Sequence, residues 1–328
     1  MDFQKRIANL SKNAVFSLDG YYVWCGTMTR GDDGLYYLYF SFWNQELGFS
    51  AWVTHSKVGY AVGADPFGKF EYRGIALDGR GPGFWDGDCI HNPSVIKHDG
   101  KYYMYYMGNY GCGEFWDNRN HQRIGVAVAR SPEGPWERFD TPLIDISPVG
   151  HDSLMTSNPS VAVTDDGRFV MIYKAVENNG KLPKGGSVVC GIATSDSPTG
   201  PFKKSPEPIM VNPEDEWSVE DAFIWCEDGR FYALAKDFQG YFTKAGKRHV
   251  ALFESDDAFD WRLSEGRIGY LRGLTTEDGE RIDLHYMERP QIYLENGKPF
   301  ALLCACMTEE AFSNSLSSSF NVRLKLDK

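Results

Sequence analysis

The heptapeptide GKYYMYY, residues 100–106, pairs a turn glycine with an aromatic-rich strand, and it is one of five such segments in the chain. GLYYLYF, GRFVMIY, GRFYALA and GKPFALL begin at glycines 34, 167, 229 and 297, so successive glycines stand 66, 67, 62 and 68 residues apart. A repeat of tens of residues determines a whole architecture. Upstream of each glycine lies a short strand (VWCGTM, HNPSVI, NPSVAV, EDAFIW, RPQIYL) and downstream a third (VGYAVGA, IGVAVAR, VVCGIAT, HVALFES, FNVRLKL). FGKFEY, GPWERF, GPFKKS and FDWRLS supply a fourth strand to the first four units, and the fifth unit ends after its third.

Five antiparallel four-stranded meanders predict an all-β chain folded as a five-bladed β-propeller, each sheet burying its faces against its neighbours. The segment before Tyr21 is expected to supply the missing strand and close the ring. A β-sandwich of irregular strands is the alternative, and it does not account for five evenly spaced copies. No linker divides the chain, so residues 1–328 read as a single catalytic domain; the serine-rich run at 313–319 falls where a turn belongs.

Composition agrees with strand. Fifteen per cent of the 328 residues are aromatic, a set suited to pleated, half-buried surfaces. The formal charge of −11 argues against nucleic acid or another polyanion as main partner. Seven cysteines without CxxC spacing indicate neither a disulfide framework nor a zinc site and read mostly as small buried residues. No signal-peptide pattern opens the chain and no run of 18 apolar residues occurs, which predicts a cytoplasmic protein without membrane association, or a periplasmic or secreted one if a leader has been removed. A monomer or homodimer is expected.

In a propeller the first strand of each blade lines the axis, so its opening residues converge at one end of the channel. Those positions hold Trp24-Cys25-Gly26, His91-Asn92-Pro93, Ser157-Asn158-Pro159, Glu220-Asp221-Ala222 and Glu288-Arg289-Pro290. Carboxylates near a shared axis cost free energy unless paired. Strand alternation sends one of Glu220 and Asp221 to the axis and the other towards the next blade, while Glu288-Arg289 reads equally as a structural ion pair. Asp88 either reaches the cavity from its loop or caps the turn, and Asp152 precedes Asn158 in the same way. Asp86 is a further acid on this approach. His91 is a hydrogen-bond donor, a general acid or a satisfied structural histidine. Lys174 and Lys236, at second-strand ends, pair with the axial acids or bind an anionic substituent. Trp24, Trp43, Trp85 and Trp116 are stacking platforms or core, and Arg123 reads as a buried partner for a carboxylate.

An acidic cavity with aromatic walls fits glycoside hydrolysis, in which one carboxylic acid protonates the departing oxygen and one carboxylate activates water or attacks. Mutual repulsion among grouped carboxylates is expected to raise the pKa of the acid. The chain has no GxSxG elbow, phosphate loop or HExxH, so acyl transfer, nucleotide chemistry and metalloprotease activity have no support. The expected catalytic set is Glu220, Asp221, Glu288 and Asp88, with His91, Asn92, Asn158, Asp152, Lys174, Lys236, Arg289 and Trp24 binding a carbohydrate substrate. No cofactor is required, and the acidic pocket is compatible with a calcium or magnesium ion.

The series HNPSVIKHDGKYYMYYMG, QRIGVAVA, SNPSVAV, VEDAFIW and ERPQIYLENGKPFALLCA resembles the five-bladed glycoside hydrolases around families 43 and 117, over nearly the whole chain. Family 43 resemblance implies a base Asp in blade 1, a tuning Asp in blade 3 and an acid Glu in blade 4. Glu220 matches the last, whereas blade 1 offers Trp24-Cys25-Gly26 and blade 3 offers Asn158. Resemblance to family 117 implies inverting release of 3,6-anhydro-L-galactose from the non-reducing end of agar oligosaccharides. Asp221 and Glu288 are then counterparts of its acids, His91 or His285 the proton donor, and Asp88, Asp152 or Asp19 the base. The leading expectation is an exo-acting, inverting glycoside hydrolase for a galactose-derived, anhydro-sugar or arabinose-type terminal residue. Two alternatives are a phosphorylase resembling family 130, with His91, Lys174, Lys236 and Arg289 as its anion site, and a catalytically inactive sugar-binding propeller.

Overall fold

The computed structural model describes residues 2–313 and 319–327; most of the serine-rich run at 313–319 lies outside them. In chain order, a short β1 (Val15–Phe16) precedes blade 1, which comprises β2 (Tyr21–Arg30), β3 (Tyr36–Asn44), β4 (Lys57–Gly63) and β5 (Glu71–Leu77). Blade 2 holds β6 (Cys89–His98), β7 (Lys101–Asn109), β8 (Arg123–Ala129) and β9 (Glu137–Arg138). Blade 3 holds β10 (Met155–Val163), β11 (Phe169–Val176), β12 (Val188–Ser195) and β13 (Lys203–Lys204). Blade 4 holds β14 (Val219–Glu227), β15 (Arg230–Asp237), β16 (His249–Ser255) and β17 (Arg262–Tyr270). After a small hairpin, β18 (Leu274–Thr275) and β19 (Arg281–Ile282), blade 5 comprises β20 (Leu284–Glu295), β21 (Lys298–Thr308) and β22 (Ser319–Lys325).

Blade 5 takes its fourth strand from the N-terminus. Val15 pairs with Val322 and Phe16 with Asn321, so the sheet order is β20-β21-β22-β1 and the ring is closed as the repeat predicts. The sequence did not announce the β18–β19 hairpin.

The repeat glycines 34, 100, 167, 229 and 297 all turn between the first and second strands with φ between 69 and 83°. Asp99-Gly100, Asp228-Gly229 and Asn296-Gly297 are two-residue turns with positive φ at both positions, the type I′ geometry that matches strand twist. First strands touch in a closed cycle from β2 through β6, β10, β14 and β20 back to β2.

Apolar faces are buried between every pair of neighbouring blades. Tyr39 and Met104 share the core of blades 1 and 2, Tyr105 and Met171 that of blades 2 and 3, and Ile172 and Ile224 that of blades 3 and 4. Trp225 and Leu302 join blades 4 and 5, and Leu303 and Leu38 close the circle. The core is thus five radial layers, which leaves the axis free for polar groups.

One local feature recurs in all five inner strands. The ladder skips two residues between Trp24 and Thr27, His91 and Ser94, Ser157 and Ser160, Glu220 and Phe223, and Glu288 and Gln291. At each skip the first unpaired residue is left-handed: Cys25, Asn92, Asn158, Asp221 and Arg289 have φ of 52 to 57°. Such bulges re-aim side chains. They also explain Pro93, Pro159 and Pro290, which occupy positions where no ladder donor is needed.

Candidate active site

The bulges build two tiers at one end of the axis. In the lower tier the left-handed residues face one another as a hydrogen-bonded belt. Cys25 Sγ donates to Asn92 Oδ1 at 2.7 Å, Asn92 Nδ2 donates to Asn158 Oδ1, Asn158 Nδ2 donates to Asp221 Oδ1 at 2.8 Å, and Arg289 Nη1 donates to the same oxygen at 3.2 Å. Each blade contributes one member. Burial lowers the Arg289 pKa, and the Asp221 carboxylate outweighs it and raises the guanidinium overall. Burial pushes the Cys25 thiol well above its ordinary range, so it stays protonated.

The upper tier consists of the residues one position earlier: Trp24, His91, Ser157, Glu220 and Glu288. With Trp43, Phe49, Trp52, Gln122, Lys174 and Lys236 they line a cavity of about 130 Å³. Lys174 projects from β11 and Lys236 from β15, so both lysines come from second strands whose ends reach the same level as the bulges.

Lys236 is the electrostatic centre. Its ammonium lies 2.8 Å from Glu220 Oε2, 3.1 Å from Glu288 Oε1 and 3.3 Å from Asp221 Oδ2, with its side chain 5% exposed. Lys174 Nζ donates to Glu220 Oε1. Burial alone would raise the Glu220 carboxyl, but the two ammonium groups outweigh it and hold the group far below the usual carboxylate range. Glu288 goes the other way: burial raises its pKa, Lys236 opposes that, and repulsion from Asp221 and Glu220 reinforces it. The ammonium occupies the point among the carboxylates that a divalent ion would need. Calcium or magnesium therefore does not fit there unless Lys236 moves, and no cluster of three His, Cys, Asp or Glu ligands occurs among the described residues.

His91 is almost fully buried against the Trp52 ring, with centroids 5.1 Å apart. Its Nδ1 is 2.7 Å from Ser56 Oγ and its Nε2 is 3.8 Å from Cys25 Sγ. Burial, reinforced by Arg289, depresses its pKa and keeps the imidazole neutral. Trp24 packs edge-on against Phe49 and Tyr286, at 5.2 and 5.9 Å.

Ten of the twelve expected site residues border this cavity: Glu220, Asp221, Glu288, His91, Asn92, Asn158, Lys174, Lys236, Arg289 and Trp24. The other two do not. Asp88 is exposed, and its Oδ2 accepts from Gly111 N and Asn118 Nδ2, which anchors the β7–β8 connection. Asp152 is buried beside Lys204 Nζ at 2.7 Å and Tyr173 Oη at 3.1 Å, so its acid-before-strand position serves an ion pair within blade 3. Asp86 is likewise structural, held by Arg80 at 2.6 Å and Arg138 at 3.4 Å. His285 pairs with Glu309 and stacks on Phe312, and Asp19 is exposed in a turn. Arg123 meets Asp145 at 2.7 Å.

Two expectations about charge change. Asp221 and Glu220 do not alternate between axis and neighbouring blade, because the bulge interrupts the two-residue period and turns both inward. Nor is the cavity acidic: three carboxylates face Lys174, Lys236 and Arg289, and Arg289 pairs with Asp221 rather than with Glu288. Phe49, Trp52 and Gln122 had no signal in the repeat. They come from excursions between second and third strands, where α1 (Trp52–His55) and α2 (Phe115–Asn120) are inserted.

Comparison with known proteins agrees with this architecture. The profile of glycosyl hydrolases family 43 matches residues 27–152. A xylosidase/arabinosidase of Bacteroides ovatus is 25% identical over 222 residues, which cover 62% of this chain, and the chain spans about three-fifths of that relative, 61%. Among solved structures, Zg3597, a family 117 glycoside hydrolase of the marine bacterium Zobellia galactanivorans, superposes with a TM-score of 0.71 at 17% identity, covering 98% of this chain and 89% of that one. A thermostable family-43 glycoside hydrolase gives 0.63 at 17% identity, covering 94% and 93%. At these identities the structural likeness is one of fold.

Proposed function

We propose that the chain is a member of the five-bladed β-propeller glycoside hydrolases that include families 43 and 117, and that it hydrolyses an O-glycosidic bond and releases one terminal sugar, of arabinose or galactose type, from an oligosaccharide. The reading rests on one observation: Glu220 and Glu288 share the Lys236 ammonium yet have opposite proton affinities. Carboxyl groups driven apart in this way divide the roles of acid and anion between them. Glu288 keeps a proton to higher pH and donates it to the departing oxygen. Glu220 stays ionised and stabilises the positive charge that develops at the anomeric carbon.

The size of the cavity supports exo action, since about 130 Å³ is well below the ~300–1,000 Å³ of pockets for drug-sized ligands and suits a single sugar ring. Attack by water is favoured over a covalent intermediate, because a carboxylate held by two ammonium groups is a weak nucleophile. The nearer oxygens of Glu220 and Glu288 lie 2.8 and 3.1 Å from one nitrogen, closer together than the ~6.5–9.5 Å that admits a water between an inverting pair. Glu220 is therefore an electrostatic partner rather than the base: water enters from the open side of the cavity, bonds to the anomeric carbon as the glycosidic C–O bond breaks, and gives up its proton to solvent, which also reprotonates Glu288 after it has protonated the departing oxygen.

A phosphorylase is less well supported, because Lys174, Lys236 and Arg289 already carry carboxylates. The full compensation of those carboxylates, with Trp24-Cys25 in place of an acid in blade 1, favours a non-hydrolytic sugar-binding propeller as the second reading. Incubating the protein with oligosaccharides that end in arabinosyl, xylosyl, galactosyl or anhydrogalactosyl units separates the two. Hydrolysis predicts release of one monosaccharide, reduced about 10²–10⁴-fold in Glu288→Gln. Saturable binding without release across the panel would support the second reading.

A further inference from the structure

Gln122 closes the β7–β8 excursion, and its backbone is fixed on both sides. Its carbonyl accepts from Thr156 N of blade 3 at 3.3 Å and from Arg123 Nη1 at 2.7 Å. Gln122 is 1% exposed and is one of the residues that line the cavity, as are Ser157, Lys174 and Glu220. Its Nε2 is buried and has no hydrogen-bond partner among the described residues. The amides of Asn92 and Asn158 below it are all engaged in the belt. Arg289 Nε likewise has no partner among the described residues, but that guanidinium is neutralised by Asp221.

A buried N–H left unpaired destabilises a fold, and an apolar side chain of similar length would fill the same space without that cost. Glutamine here is explained by what enters the cavity. We propose that Gln122 is a specificity-determining residue, donating a hydrogen bond from Nε2 to a hydroxyl or ring oxygen of the terminal sugar; the assignment rests on the reading of the cavity as a sugar site. The donor is neutral, and Lys174, Lys236 and Arg289 are each already paired with a carboxylate, so the group it recognises is an uncharged sugar oxygen rather than a carboxylate or sulfate. A site built to bond a hydroxyl rejects the analogue that lacks it, because the protein donor is then stranded.

The test uses the full chain, Gln122→Leu and the length-preserving Gln122→Met. Binding of L-arabinose, D-xylose, D-galactose and their monodeoxy analogues is followed by calorimetry or by the fluorescence of the cavity tryptophans, alongside thermal melts. Both variants are expected to melt at or above the wild-type temperature and to bind the preferred sugar about 3- to 10-fold more weakly. One deoxy analogue should bind equally to all three proteins. A fall in melting temperature with unchanged affinity would make Gln122 a structural residue and overturn the assignment alone. If none of these sugars binds the wild-type protein, the sugar-site reading fails together with it.

Discussion

Glu288 lies 3.1 Å from the Lys236 ammonium, yet its carboxyl binds a proton more tightly than an ordinary glutamate. Burial is the first cause, and sharing is the second: one cation serves three carboxylates, while Glu220 alone has a second lysine. On the proposed reading, this asymmetry makes Glu288 of blade 5 the acid and Glu220 of blade 4 the anion.

Lys236→Met removes the shared cation. Glu288 then loses the group that opposes its protonation, so the alkaline limb of kcat/KM should move to higher pH. Stability should fall by about 3–5 kcal/mol, as when one partner of a buried ion pair is deleted. A pH–rate series and denaturant unfolding measure the two effects; an unmoved limb would separate Lys236 from the acid.

The two glutamates should respond to pH in opposite directions. Glu220 has a depressed folded-state pKa, so its contribution to stability is complete above the ordinary glutamate value of about 4.3 and fades as pH falls through the folded value. Melting of Glu220→Gln should thus fall furthest below wild type near neutral pH, with the gap closing in acid. Glu288 has a raised value, so its contribution is complete below about 4.3 and is lost as pH rises through the folded value. Glu288→Gln should gain on wild type as pH rises.

Asp221→Asn should destabilise the belt by about 3–5 kcal/mol, because it leaves buried Arg289 without its anion. Asparagine tolerates the left-handed backbone at this position, so the loss reports charge rather than strain. Adding Arg289→Met should recover part of the loss, and a double-mutant cycle by denaturant unfolding measures the coupling. Strictly additive losses would contradict the belt as a coupled unit.

Asp152→Asn should lower the melting temperature through the lost Lys204 pair while leaving kcat/KM within about 2-fold. Asp88→Asn should likewise spare turnover. A large kinetic loss from either would put these acids in the reaction despite their distance from the cavity.

The five-fold repeat was readable because each blade repeats a glycine, an aromatic strand and a polar opening at nearly constant spacing. Ring closure by Val15–Phe16 followed from the missing fifth-blade strand. What periodicity could not convey was the bulge, which depends on the backbone at Asn92 or Asp221 and decides that adjacent residues form two tiers. Asp88 and Asp152 looked alike because both precede an inner strand; their partners, Asn118 and Lys204, lie 30 and 52 residues away and share no pattern with them. Gln122, Trp52 and Phe49 sit in irregular excursions, where a repeat predicts nothing.

The most direct test compares Glu288→Gln with wild type on two glycosides of the same terminal sugar, one a natural oligosaccharide and one an aryl glycoside with an acidic phenol. A proton donor matters only where the leaving group needs a proton. The variant should lose about 10²–10⁴-fold on the oligosaccharide and far less on the aryl glycoside. Equal losses on both substrates, or full activity on the oligosaccharide, would contradict Glu288 as the acid.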